Sequence, residues 1–211
     1  MFPQQIEEGL WRWTAPHPDW LPGAPDSLED WPRDVACVLY EAPDVSLFID
    51  PLVPADTAEF WRWADARCAG RPVVVLTTLE FHARSRAVVV ERYGAVALGS
   101  HATGVKHFEV VPAGVECFVL EPVEETVVWL AGVRTLVVGD SLIGAGAGAL
   151  RLCPQSWLES GPHDATLAEL ADALRPLLDL PIERVLVSHG ESALDRGHAA
   201  LARALVPVAV G

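Results

Sequence analysis

The sequence predicts a mixed α/β protein in which two β-sheets pack face to face with helices outside, a four-layer αββα sandwich. Strand-like apolar runs come in two groups, and helical patterns follow each group without strict β-α alternation. The chain has 211 residues, of which 51% are hydrophobic and 21% charged, which is enough for a substantial core. We therefore expect one domain that spans residues 1–211.

The first group of elements begins in a segment, residues 1–34, that is rich in Pro and Trp. Because Pro removes a backbone donor and favours extended neighbours, this segment predicts irregular structure around one short strand at residues 10–14. Two strands follow at 35–40 and 45–49, joined by a turn. The remaining elements predicted here are a helix at 55–67, a buried strand at 73–77, a helix at 83–93 that Gly94 ends, and a strand at 95–98.

The second group is predicted to contain strands at residues 116–120, 126–130, 135–138 and 184–187. Thr166 and Glu169 have the spacing of a capping box, which predicts a helix running towards Leu178 that Pro176 kinks or ends. A final helix is predicted at residues 192–205. The glycine-rich run at 144–148 lacks the spacing of a dinucleotide-binding loop, so it predicts a flexible loop.

Charge and cysteine usage exclude several classes of function. The formal net charge of -14 repels phosphate backbones and anionic membranes, so neither nucleic acid nor membrane is an expected partner. The four cysteines are widely spaced, which predicts free thiols in a reducing cytoplasm. The first residues lack the pattern of a signal peptide, and no apolar run is long enough to span a membrane. The expected location is cytoplasmic, and a homo-oligomer is compatible with the sequence.

Three turns carry the residues that could do chemistry. Leu76-Thr77-Thr78-Leu79-Glu80-Phe81-His82-Ala83 follows a predicted strand, and two later turns read Gly139-Asp140-Ser141 and Ser188-His189-Gly190. They resemble the metal-binding turns of the metallo-β-lactamase superfamily, over most of the chain from Trp11 onwards. The resemblance implies an αββα sandwich with metals held by loops at one edge of the sheets. Imidazole and carboxylate ligands suit Zn or Fe, which turn bound water into hydroxide.

Under this resemblance Asp140 matches the family's bridging Asp, His189 matches its last His, and Asp50 matches an early, structural Asp. The family's first motif, H-x-H-x-D-H, aligns in two registers. One register, anchored on Leu76-Thr77, places the four motif positions on Thr78, Glu80, His82 and Ala83. The other places them on Glu80, His82, Arg84 and Ser85. The first is preferred because it better preserves the spacing to Gly94-Ala95.

In the first register most of the motif histidines are lost, which implies a degenerate site. Where the family's third His should stand, the chain offers Glu121, Glu124 and Glu125 instead. The ligands implied for one divalent metal, which could be Zn, Fe or Mn, are Glu80, His82, Asp140 and His189. In the second register the Arg84 guanidinium takes the place of a cation and pairs with Asp140 or an anionic ligand, which implies a site without metal.

Two hypotheses of function follow, and both expect a small-molecule partner. The first is a hydrolase-like protein that uses one metal to activate water against an ester, thioester or amide. The second is a non-catalytic binding or interaction protein that has lost its metals. They differ in whether the side chains of His82, Asp140 and His189 can act as ligands of one ion, or whether Arg84 forms a salt bridge in their place.

Overall fold

The computed structural model describes residues 3–20, 32–99, 111–159 and 164–206. Within these residues the chain forms two compact units. The first comprises the described parts of Met1–Trp20, Arg33–Cys117 and Ala131–Val133, and the second those of Leu21–Pro32, Phe118–Leu130 and Arg134–Gly211. The single domain expected for residues 1–211 stays a prediction. Of the Pro- and Trp-rich segment, residues 1–2 and 21–31 lie outside the described part of the chain.

The first unit contains a six-stranded sheet whose strands are neighbours in chain order. The strands are β1 (Gln4–Glu7), β2 (Leu10–Pro16), β3 (Asp34–Glu41), β4 (Ser46–Ile49), β5 (Val73–Thr77) and β6 (Val96–Gly99). Strands β1 to β4 are antiparallel, whereas β5 and β6 run parallel to β4. Every residue of β4 and β5 is buried, which explains their continuous apolar sequences. The parallel pairing brings the carboxyl ends of β4 and β5 to one edge of the sheet.

Two helices belong to this unit, α1 (Thr57–Cys68) and α2 (Arg86–Tyr93), with a short 3-10 helix at Glu80–Ala83 before α2. The single helix predicted at 83–93 is therefore wrong in its first turn. Arg84 has a φ of 35°, a left-handed conformation that interrupts the helical path. The predicted end is confirmed, because Gly94 adopts the left-handed conformation and donates its N–H to the carbonyl of Val90.

Aromatic residues pack α1 against β2. Trp11 and Trp13 are two apart on the strand and share a face, since both rings contact the ring of Trp63 at centroid distances of 5.7 and 5.8 Å. Trp13 is buried, and its indole N–H donates to the carbonyl of Leu52 at 2.9 Å. The Arg67 guanidinium lies 3.8 Å from the Trp11 ring centroid. These tryptophans therefore serve the core of the first unit.

The second unit contains a four-stranded sheet and a separate hairpin. The strands are β7 (Val115–Leu120), β8 (Glu125–Leu130), β9 (Thr135–Val138), the hairpin pair β10 (Leu142–Gly146) and β11 (Ala149–Leu152), and β12 (Arg184–Val187). In the larger sheet the order is β12-β9-β8-β7, and β12 runs parallel to β9. All four strands of this sheet were predictable from their apolar runs. The loop expected at 144–148 is instead the end of this hairpin, in which Gly146 and Gly148 supply the left-handed φ values of 87° and 71°.

The helices of the second unit are α3 (Gln155–Glu159), α4 (Leu167–Leu174) and α5 (Gly197–Ala204), with a 3-10 helix at Arg175–Asp179. The predicted capping box is confirmed, since Thr166 and Glu169 accept each other's backbone N–H groups at 2.8 and 3.2 Å. Pro176 ends α4 as predicted. Helix α5 begins five residues later than predicted, because Ala193 first pairs with Val185 beside β12. Among the residues that the structure describes, no helix has the length and apolar character needed to cross a membrane.

Candidate metal site

The first unit positions His82 through a buried carboxylate, that of Asp50. Asp50 directly follows β4, and Thr78 directly follows the neighbouring β5. Asp50 has a φ of 48° and donates its N–H to the carbonyl of Leu76 at 3.0 Å. This turn directs its carboxylate towards Thr78, whose backbone N–H donates to Oδ1 at 2.8 Å and whose hydroxyl donates to Oδ2 at 2.5 Å. The same Oδ2 lies 2.8 Å from Nδ1 of His82.

The Asp50 contact selects one tautomer of His82. Because a carboxylate accepts, a neutral His82 ring carries its proton on Nδ1 and its lone pair on Nε2. His82 is only 3% exposed, so burial and this hydrogen bond together restrict the ring. A histidine that binds a metal typically donates its other ring N–H to a carboxylate in this way. The first unit therefore holds the His82 ring in an orientation that is compatible with a metal ligand, a role that stays a prediction.

The hydroxyl of Thr78 is not placed to be a nucleophile with His82 as its base. Its oxygen lies 3.0 Å from Nδ1, the same ring nitrogen that faces Asp50. In a nucleophile-histidine-carboxylate triad the nucleophile and the carboxylate contact opposite ring nitrogens. Thr78 instead completes the hydrogen bonding of the Asp50 carboxylate, so the first unit forms a support for His82 and not a hydrolytic triad.

Arg84 stabilises the backbone around Asp50 through hydrogen bonds from its side chain. Its guanidinium donates to the carbonyl of Ala36 at 2.9 Å and to the carbonyl of Asp50 at 3.2 Å. Both acceptors are backbone groups of the first unit, one on β3 and one directly after β4. Arg84 thus fixes the backbone of the residue that orients His82. These contacts give the side chain a structural part, which differs from the anion-pairing part that the second register implied.

Glu80, the fourth predicted ligand, lies at the first position of the 3-10 helix and is exposed, whereas His82 is buried. A ligand role for Glu80 stays a prediction. Its exposure also means that replacing it would disturb little of the core.

In the second unit, too, the parallel pairing of two strands positions the candidate ligands, here Asp140 and His189. Asp140 follows β9 and His189 follows β12, and the two strands pair in parallel, so both residues lie at one sheet edge. Nε2 of His189 lies 3.2 Å from Oδ1 of Asp140. Two ligands of a tetrahedral ion, each about 2.0 Å from it, are about 3.3 Å apart. The separation in the second unit therefore suits two ligands of one Zn-like cation.

A second buried carboxylate, that of Glu125 at the start of β8, holds the turn that carries Asp140. Its Oε1 accepts the N–H of Gly139 at 2.8 Å, and its Oε2 accepts the N–H groups of Asp140 at 3.0 Å and Ser141 at 2.7 Å. Glu125 is fully buried. Burial, followed by the nearby charge of Asp140, raises the pKa of Glu125 to about 7, and the three N–H donors oppose that rise.

The turn around His189 is fixed by a close backbone approach. Gly144 on β10 donates its N–H to the carbonyl of His189 at 2.9 Å. A Cβ at Gly144 would lie 2.2 Å from the backbone nitrogen of Glu191, so only glycine fits there. The Trp157 ring on α3 packs against the imidazole of His189 at a centroid distance of 5.4 Å. Hairpin and helix together restrict where the His189 ring can lie.

The sequence predicts His82, Asp140 and His189 as ligands, and it does not show that the carboxylates of Asp50 and Glu125 hydrogen-bond to His82 and to the Asp140 turn. Asp50 was expected to be structural, and Glu125 was one of three glutamates at the place of a missing histidine. For Asp50 the only sequence signal is its place directly after a predicted strand, and the pairing of this strand with the one before Thr78 is seen in the structure. For Glu125, the available signal was a carboxylate directly before the strand predicted at residues 126–130.

A comparison of the sequence with protein-family models finds no match, and neither does a comparison with curated proteins. Solved structures do match. VMB-1 aligns with a TM-score of 0.66 and 13% identity over 97% of this chain and 94% of that one. The DIM-1 metallo-β-lactamase aligns at 0.64 and 13% over the same shares. A metallo-β-lactamase from Erythrobacter litoralis aligns at 0.57 and 17%, over 96% of this chain and 89% of its own.

These likenesses cover nearly the whole chain at low identity, so they establish the fold. The chain has the metallo-β-lactamase fold, and the predicted fold class is confirmed.

Proposed function

We propose that this chain, with its metallo-β-lactamase fold, is a hydrolase-like protein that holds one divalent metal through His82, Asp140 and His189. The observation that carries the proposal is the 2.8 Å contact between Nδ1 of His82 and the buried carboxylate of Asp50. A histidine used only for packing needs no buried carboxylate, and burying that carboxylate is costly unless it is well bonded. The contact is explained if Nε2 of His82 must present its lone pair to a cation.

The donor set fits a single Zn, Fe or Mn ion. Two neutral imidazoles and one carboxylate are three protein ligands, which is the number that catalytic zinc sites use while keeping one position open. A metal bound there would lower the pKa of its water to about 7 and polarise a carbonyl oxygen. His82, Asp140 and His189 would orient the ion, while Asp50 and the Glu125 carboxylate would orient these ligands. Glu80 remains a predicted fourth ligand.

We propose small esters, thioesters or amides as the substrate class, since these carry a carbonyl that such a site could polarise. The net charge of -14 makes nucleic acid an unfavourable partner. Oligomeric state and cytoplasmic location stay predictions.

The test is metal content, measured on untagged protein purified without chelator and then loaded with Zn, Fe or Mn. We expect about one equivalent in the parent chain, since three ligands form one site. His82→Ala, Asp140→Ala and His189→Ala should each lose the metal. His198→Ala is the matched control, because His198 is exposed and bonded to the carbonyl of Leu178, and it should keep the metal.

An unloaded parent chain, even after each metal has been supplied, would overturn the proposal. The alternative, a non-catalytic binding protein that has lost its metals, would then stand. Retention of the metal in both Asp140→Ala and His189→Ala would also contradict the proposal, because it would locate the ion elsewhere.

A further inference from the structure

We infer that Glu125 is a positioning residue for the metal site: its carboxylate holds the turn of Gly139, Asp140 and Ser141 so that Asp140 presents its side chain as a ligand. The inference rests on the proposed function, in which Asp140 is a ligand. It gives a role to Glu125, which stands where the metallo-β-lactamase resemblance implies a histidine ligand.

The geometry distinguishes support from ligation. Both oxygens of Glu125 accept backbone N–H groups, at distances from 2.7 to 3.0 Å, from three consecutive residues. Such a row of N–H groups forms a concave anion-binding nest, and here the nest is filled by the chain's own carboxylate. The side chain is therefore directed at the backbone of the turn. Its effect on a metal would pass through Asp140.

Three consecutive hydrogen bonds restrict the turn strongly. The Glu125 carboxylate accepts the N–H of Asp140 and also the N–H groups of its two neighbours, Gly139 and Ser141. Rotation of the Asp140 peptide would break at least one bond to a fully buried carboxylate, which is unfavourable because a buried acceptor would lose its partner. Residues that hold metal ligands in this manner typically change metal affinity by about 10- to 100-fold when they are replaced.

The experiment is a Co²⁺ titration of the full chain, monitored by electronic absorption. The absorption bands report the geometry around the ion. In Glu125→Gln the amide nitrogen must face at least one backbone N–H, so the turn cannot keep all three bonds. We expect Co²⁺ affinity to fall by about 10- to 100-fold and the absorption bands to shift. Glu125→Asp keeps the charge but is one methylene shorter, and we expect a similar loss.

The matched control is Val127→Ala, on the same strand and fully buried, which removes packing without touching the nest. It should lower stability and leave Co²⁺ affinity and the absorption bands unchanged. Unaltered affinity and bands in folded Glu125→Gln would overturn the inference while the proposed function stood. If Glu125→Asp alone kept the Co²⁺ affinity of the parent chain, the charge of the carboxylate would matter and its hold on the turn would not. That result would also overturn the inference. Absence of Co²⁺ binding in the parent chain would instead overturn the proposed function.

Discussion

Two buried carboxylates, Asp50 and Glu125, each lie beside a residue that the proposed site needs. Asp50 fixes an imidazole, and Glu125 fixes a backbone turn. Burying a carboxylate is unfavourable unless hydrogen bonds compensate, and both residues accept three or more. The free-energy cost of burying these two carboxylates is thus associated with orienting His82 and Asp140, which is the pattern expected around a functional site.

Replacing Asp50 with Asn should weaken metal binding by reversing the His82 tautomer. An amide that donates to Nδ1 would force the imidazole proton onto Nε2, where a metal ligand needs a lone pair. We expect a loss of about 10- to 100-fold in metal affinity. Metal titration measures the affinity, and long-range proton-nitrogen NMR of the imidazole reports the tautomer.

Thr78→Val serves as the comparison for that variant. This change removes the hydrogen bond from the Thr78 hydroxyl to Asp50 but leaves the hydrogen bond between Asp50 and His82. The tautomer of His82 should therefore be unchanged. If Asp50→Asn kept the parent tautomer and the parent affinity, the assigned role of Asp50 would be wrong.

Local sequence patterns predict candidate ligands but not the residues that hydrogen-bond to them. His82, Asp140 and His189 lie in short turns after apolar runs, a pattern that is local in the sequence. The partnership of Asp50 with His82 is not local, because 32 residues separate them. It depends on the pairing of β4 with β5, which the local pattern around either residue does not reveal.

At the scale of elements, a polar cluster on the two helices of the first unit, Asp65 on α1 with Arg92 and Tyr93 on α2, connects them. Arg92 donates to both oxygens of Asp65, at 2.8 and 2.6 Å, and the Tyr93 hydroxyl donates to Oδ1 at 2.8 Å. The hydrogen bonds from Arg92 hold the pKa of Asp65 below its usual value. The cluster is partly exposed, so its contribution to stability is modest.

Asp65→Asn should therefore lower the free energy of unfolding by about 1 kcal/mol or less near neutral pH. Because the folded-state pKa of Asp65 is depressed, its contribution is fully present above the unfolded pKa and is lost as pH falls through the folded one. The difference from the parent chain should shrink in acid. Urea unfolding at about pH 7, 5 and 3.5 measures it.

For the Asp65 variant, Asp195→Asn is the control, since Asp195 is highly exposed and should show almost no effect. A destabilisation by Asp65→Asn that stays constant down to acid pH would contradict an ionic origin.

The hairpin of β10 and β11 supports the His189 turn, and Gly144→Ala should disturb both. The added Cβ would lie 2.2 and 2.3 Å from backbone atoms of Glu191, which must move. We expect a destabilisation of about 2–3 kcal/mol and weaker metal binding. Gly148→Ala is the comparison, because it meets nothing within 4 Å and only strains a φ of 71°. It should cost about 1 kcal/mol and leave metal affinity unchanged. Equal effects of the two changes would show that the close approach is unimportant.

Elements with one strong local signal were predictable from the sequence, and those without one were not. The buried strand β9 has its predicted bounds, Thr135–Val138, and the capping box at Thr166 starts α4. Strand β1 and the hairpin were missed. Gln4–Glu7 is polar and only partly buried, so it lacks an apolar pattern, and the hairpin's glycines indicated a loop. Pairing with a neighbouring strand, not propensity, makes these segments extended.

At the scale of the whole molecule, the proposed ligands are far apart in the chain, at residues 82, 140 and 189. An unfolded chain cannot present them together, so the metal should bind the native state almost exclusively and stabilise it by mass action. At a free metal concentration of about 100 times Kd the gain is about 2.7 kcal/mol. For a chain of this size that raises the Tm by roughly 5–10 °C.

We expect that rise in calorimetry on adding Zn, and its reversal by a chelator. His198→Ala should show the same rise as the parent chain, whereas His189→Ala should show none, because only the latter loses a proposed ligand. A rise of equal size in His189→Ala would mean that the ion binds at another place on this acidic chain, whose net charge of -14 attracts cations without any built site. Comparing the two histidine variants therefore separates a site built from distant turns from general attraction by charge.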